Sequence, residues 1–174
     1  MRAFVAVPLD LEGPAREEDS APHHLTLRFL GEVPESSLVM LEEPLRRAVV
    51  ELPGFEIVVE GVGAFPSADR PRVVWRGVGK GEEPLRRLAA AVREAVHSVG
   101  LPEDSLPFSP HVTLFRVRSG TDRARARSVL EGSEPAPPPS RVWVREIHLM
   151  ESRLTRAGAT HRIRARFALG STVG

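Results

Sequence analysis

Two segments of this sequence set a histidine and a threonine two residues apart, "HHLTLRFLG" at residues 23–31 and "HVTLF" at 111–115. On a strand, side chains at i and i+2 share a face. His24 therefore points with Thr26, and His111 with Thr113, while Leu25, Leu27, Val112 and Leu114 point into a core. His23 is out of phase with Thr26, which selects His24 from that pair. Six histidines and six threonines in random order would give about 0.2 such pairs. Two strand ends that happen to carry a β-forming threonine are the bland alternative. Imidazole titrates at about pH 6.5, so near neutrality one ring can take a proton while another gives one. A pair flanking a phosphodiester suits in-line displacement: one histidine activates water and the other protonates the departing oxygen. Threonine hydroxyls suit the non-bridging oxygens, where charge redistributes.

Other chemistries fit less well. Neither segment carries an in-phase Asp or Glu beside its histidine, as a zinc site would want, so no metal or other cofactor is expected. The chain has no cysteine and no nucleophile elbow. Arginine is the natural phosphate partner because its planar fork donates two bonds at once. Arg28 shares the parity of His24 and Thr26, which makes it a candidate RNA contact, although a solvent-facing strand position explains it as well. Arg116 follows Thr113 by three and is out of phase unless a bulge or strong twist intervenes. Arg162, Arg164 and Arg166 alternate with apolar residues as a basic strip, read first as a solvated outer face and second as an RNA-backbone groove. His97 and His148 read as structural.

The elements that would position these residues are legible from periodicity. Strands are expected near 2–8, 24–30, 55–63, 72–78, 111–117, 142–149 and 161–168. Helical spacing appears in "PESSLVMLEEPLRRAVVEL", where Pro44 suggests a kink or late start. It is clearer in "EEPLRRLAAAVREAVHSVG", whose stripe is Leu85, Leu88, Ala89, Val92 and Val96, with Gly100 to end it. "TDRARARSVLEG" gives a shorter helix, with Thr121 as N-cap and Gly132 at the stop. "EGSEPAPPPS" reads as an extended surface loop. Strands mixed with few helices and short connections give α+β rather than a doubly wound sheet.

With 174 residues, 41% hydrophobic and 27% charged, the chain suits one domain over 1–174, or two small lobes sharing a core. No membrane span or signal peptide is visible, and the lack of cysteine makes the cytoplasm the default location. Arginine outnumbers lysine 23 to 1, and Asn, Gln and Tyr are absent; GC-rich coding accounts for this better than heat adaptation. The net charge of +1 hides an asymmetry. Residues 1–109 carry 12 basic and 18 acidic side chains, residues 110–174 carry 12 and 5. A basic half can bind a polyanion or simply pack against the acidic half.

These segments carry a family likeness. With "MRAFVAVPLD", "HLTLRFLGEV", "FPSADRPRVVWRGV", "FSPHVTLFRVR" and "LMESRLTRAGATHRIRARFAL", the chain resembles the two-histidine (2H) phosphoesterases, and among them the RNA 2',3'-cyclic phosphodiesterases, or 2'-5' RNA ligase-like proteins. The resemblance implies a bilobal α+β fold, with two pseudo-symmetric lobes of antiparallel sheet, helices outside and a central groove. It implies metal-independent hydrolysis of an RNA-terminal 2',3'-cyclic phosphate to a 2'-phosphate, with weak 2'-5' ligation in reverse. His24 would be the proton donor to the leaving 3'-oxygen, His111 the proton acceptor from water, and Thr26, Thr113 and Arg116 the phosphate ligands. The partners implied are RNA ends or tRNA fragments bearing the cyclic phosphate, met by a monomer. Two features depart from the family: residues 9–23 read as a loop where a helix is usual, and His161 stands where a tyrosine is usual. The alternatives are a phosphodiesterase for a small cyclic nucleotide or a 2'-5' oligonucleotide, and a non-catalytic RNA-end-binding module.

Overall fold

Alternation in "RAFVAVP" builds the first strand and sorts its side chains to two faces. Ala3, Val5 and Val7 enter the main core, whereas Phe4 and Ala6 join Met150 and Ile163 on the opposite side. The structure is a computed structural model that describes residues 1–11 and 23–171. The expected loop over 9–23 therefore falls largely outside the described residues.

The order is β1 (Arg2–Pro8), β2 (His24–Glu32), α1 (Glu35–Val50), β3 (Phe55–Phe65), β4 (Val73–Val78), α2 (Glu82–Ser98), β5 (Val112–Arg116), α3 (Gly120–Leu130), β6 (Ser140–Val144), β7 (Glu146–Thr155) and β8 (Gly158–Ala168). Two four-stranded antiparallel sheets result, β2-β1-β7-β8 and β5-β4-β3-β6. Each sheet carries one His-x-Thr segment on its edge strand, and the two edges, β2 and β5, lie against each other. This is the bilobal α+β architecture expected from the sequence.

One apolar cluster joins the lobes through the helices. α1 buries Leu38, Leu41, Leu45 and Val49, and α2 buries Leu85, Leu88, Ala89, Val92, Ala95 and Val96, the 3.6-residue stripes of amphipathic helices. Both stripes meet Val5, Leu25, Ile57, Val112, Ile147 and Phe167 in the same core. Gly100 and Gly132 follow their helices with φ of 78° and 80°, a left-handed conformation that glycine adopts without steric cost.

Several expectations need correction. Pro44 lies inside an uninterrupted α1; the carbonyl it leaves without a helical donor is that of the exposed Met40, within reach of water. α3 is capped by Ser119, not Thr121: the Ser119 hydroxyl accepts from Asp122 N while the Asp122 carboxylate accepts from Ser119 N, a reciprocal capping box. The single apolar run at 142–149 is two strands in different sheets. β6 pairs with β3, and after Arg145 the chain enters β7, which pairs with β1 and β8. The proline-rich loop before β6 is fastened by buried Arg76, which donates to the carbonyls of Val59, Pro137 and Pro138 at 3.0, 3.0 and 2.8 Å.

Candidate active site

Cross-strand partners on a sheet share a face, so the ladders say where each site residue points. His24 pairs with Pro8 and Thr26 with Ala6. Both therefore project on the Phe4–Ala6 side, away from the helices. The ladder then shifts, leaving Leu27 without a partner opposite and pairing Arg28 with Val5. A bulge of this kind turns the strand by one residue. Arg28 consequently leaves the face of the motif and is 6% exposed. Its guanidinium donates to the Pro102 carbonyl and pairs with Asp104 at 2.9 Å. Burial lowers its proton affinity first, the nearby Arg93 lowers it further, and Glu103 partly opposes both. Neither the groove position nor the solvent position read from parity is what Arg28 occupies.

The second motif strand has a matching irregularity. Thr113 pairs with Trp75 and Arg116 with Val73, with Leu114 extra between them. Trp75 and Val73 are two apart on β4, so this bulge brings Arg116 onto the face of Thr113. The same local device thus removes an arginine from one motif face and supplies one to the other.

Aromatic rings fix both imidazoles. His24 lies 5.0 Å from the Phe4 ring and 5.3 Å from His161, the latter edge-on at 85°. Phe4 meets His161 at 5.1 Å. In the other lobe His111 sits 4.9 Å from Phe65 at 89° and 6.2 Å from Trp75. The Nδ1 of His111 is 2.7 Å from the Ser109 carbonyl oxygen. A carbonyl can only accept, so Nδ1 carries the hydrogen, and the neutral ring then presents a lone pair at Nε2.

Trp75 owes its position to a glycine. A Cβ at Gly63, its partner on β3, would overlap the six-membered ring of the indole. Gly63→Ala is therefore expected to cost about 1–3 kcal/mol through overpacking and to change the near-ultraviolet circular dichroism of Trp75. An unchanged melt and spectrum would show that the ring has room to move.

His161 packs against Phe4 and His24 within its own sheet. Its Nδ1 is buried without a hydrogen-bond partner. Burial lowers its pKa, and the positive charge of Arg116 lowers it further, so the guanidinium of one lobe is felt beside the His24 of the other. His23, His24, His148 and His161 line a cavity of about 460 Å³ with Ala6, Pro8, Leu9, Met150 and Ile163. His148 is buried, with Nε2 2.6 Å from Glu146 Oε1; His97 is exposed on α2.

The basic strip of β8 is not one face. Arg164 is extra in the ladder, so Arg162 pairs with Glu151 and Arg166 with His148 on opposite sides of the sheet. Arg164 itself contacts Glu35 of α1 and lies 3.7 Å from Glu151. Residues that the sequence did not single out, Phe4, Phe65 and Trp75, become visible here because cross-strand pairing decides what touches a motif.

No described helix is long and apolar enough to cross a membrane. Residues 12–156 match the 2'-5' RNA ligase superfamily. An RNA 2',3'-cyclic phosphodiesterase of Aeropyrum pernix is 37% identical over 149 residues, spanning 86% of this chain and 83% of that one. A protein of the same name from Archaeoglobus fulgidus is 41% identical over 68% of this chain and 73% of its own. Among solved structures, TT0787 of Thermus thermophilus superposes with a TM-score of 0.73 at 25% identity, over 98% of this chain and 99% of that one. E. coli LigT complexed with 3'-AMP gives 0.71 at 27%, covering 97% of each.

Proposed function

Since the chain belongs to the 2'-5' RNA ligase superfamily, we propose that it is an RNA 2',3'-cyclic phosphodiesterase that hydrolyses a terminal cyclic phosphate to a 2'-phosphate, with His24 and His111 as acid and base. What carries this reading is the meeting of two edge strands, each presenting a histidine and a threonine. The names of the relatives in Aeropyrum and Archaeoglobus, and the 3'-AMP held by LigT, support the substrate class.

In this mechanism water attacks phosphorus on the side opposite the 3'-oxygen. His111 Nε2 takes the water's proton, the P–O3' bond breaks, and His24 delivers a proton to O3', leaving a 2'-phosphate and a free 3'-hydroxyl. Thr26, Thr113 and Arg116 hold the non-bridging oxygens as charge shifts among them. A 5'-hydroxyl in place of water would form a 2'-5' linkage by the same displacement, and the abundance of water favours hydrolysis. Protein groups supply every proton transfer, so no metal enters the scheme.

The test is an RNA ending in a 2',3'-cyclic phosphate, incubated with and without EDTA. A 2'-phosphate formed equally in both is expected. A 3'-phosphate product, or activity abolished by the chelator and restored by a divalent cation, contradicts the scheme.

A further inference from the structure

The motif face of the second sheet extends well beyond β5. Thr113 pairs with Trp75, and Trp75 with Gly63. Glu60 pairs with Gly77, two places from Trp75, so it projects on the same side. From Glu60 the alternation of β3 carries that side to Val58 and Glu56, whose partners on the outer strand β6 are Arg141 and Trp143. Val142 and Val144 alternate with them and enter the core. Arg141 and Trp143 therefore face the same side as Thr113. β5 and β6 are three strand spacings apart, about 14 Å, and the offset along the strands brings the separation to on the order of 20 Å.

Trp143 is 43% exposed on an edge strand, where an uncovered indole invites pairing with other chains. Exposed Arg141 and Arg145 flank it and blunt that risk, but a third charge in place of the indole would remove it. The indole and Arg145 also line a cavity of about 420 Å³ with Gly54, Leu169 and Gly170. Neither guanidinium forms an ion pair among the described residues. Glu56 and Glu60 share the face, but Glu56 is held by Lys80 at 3.1 Å and Glu60 feels the buried Arg76 guanidinium. An aromatic ring between unpaired arginines suits single-stranded nucleic acid, whose bases stack on the ring while its phosphates meet the charges. We propose that Arg141, Trp143 and Arg145 form a second contact for the single-stranded RNA whose end enters the groove, holding nucleotides several places upstream of the terminal phosphate. The identity of the polymer rests on the phosphodiesterase reading; the contact itself is read from binding, without turnover.

The test is fluorescence anisotropy with two labelled RNAs that end in a 2'-phosphate. One is a dinucleotide, too short to span from the groove to β6; the other is a dodecanucleotide, with a stacked length of about 40 Å. The unaltered protein is expected to bind the longer RNA more tightly. In Trp143→Ala the ratio of the two affinities should fall about tenfold, and Trp143→Phe should keep most of it. In the double variant Arg141→Gln, Arg145→Gln, the plot of log affinity against log salt for the dodecanucleotide should become shallower by about 0.7 per lost phosphate contact. No length preference in the unaltered protein, an unchanged ratio in Trp143→Ala, or an unchanged salt slope overturns the inference. Hydrolysis of a cyclic-phosphate dinucleotide decides the phosphodiesterase reading separately. If the unaltered protein lacks it, that reading fails, while a length preference that depends on Trp143 still sustains the second contact.

Discussion

Replacing either His24 or His111 by alanine is expected to lower kcat on a cyclic-phosphate RNA by about 10²–10⁴-fold, with the melting temperature close to that of the unaltered protein. Proton transfer by a positioned side chain contributes on this scale. In the proposed scheme His111, tied to Ser109 through Nδ1, must be unprotonated at Nε2 to accept from water, and His24 must be protonated to give. The rate should therefore rise and then fall with pH. The acidic limb should disappear in His111→Ala and the alkaline limb in His24→Ala. Because the two act in one displacement, the double variant should be little worse than the poorer single one. Near-full activity in either single variant would rule out paired acid–base catalysis.

The second large effect is expected at Arg116. Arg116→Met should lower kcat by about 10²–10³-fold, the range seen when a donor to developing negative charge is removed. Arg116→Lys should recover part of it, since an ammonium keeps the charge and loses the fork. Arg116 is exposed, so neither change should unfold the protein. A separate readout comes from His161, whose pKa is depressed by burial first and by Arg116 second. In Arg116→Met the His161 pKa, followed by proton NMR, should rise but stay below about 6.5, because burial remains. The sign for stability follows. As pH falls below about 6.5 the unfolded chain binds this proton more readily than the folded one, so acid removes stability, and Arg116→Met softens that loss. A His161 titration unmoved by the substitution would place the guanidinium elsewhere.

The motifs were readable because a strand's period is two and because both histidines stand with their threonines in phase. Most of the strands, the helical stripes of α1 and α2, and the loop before β6 were readable for similar local reasons. Parity failed where a bulge intervened. Arg28 and Arg116 exchanged their expected orientations because Leu27 and Leu114 have no partner opposite, and that is a property of the neighbouring strand, not of the motif. β8 shows the same failure at Arg164. The change of sheet at Arg145 was hidden as well, since "VWVREIHL" is apolar enough to run on as one strand. Ring contacts such as Phe4 with His24, or Trp75 over Gly63, join residues far apart in sequence and have no local signature.

The Arg28 contacts carry a mechanical corollary. One guanidinium ties β2 to the segment at Pro102 and Asp104 that leads on to His111, so it is a strut between the two motif strands. Its carboxylate end is 42% exposed, where dissolved ions weaken such a pair. Ionic strength therefore acts on this molecule at a structural point: it weakens a tie between the two strands that carry the motifs.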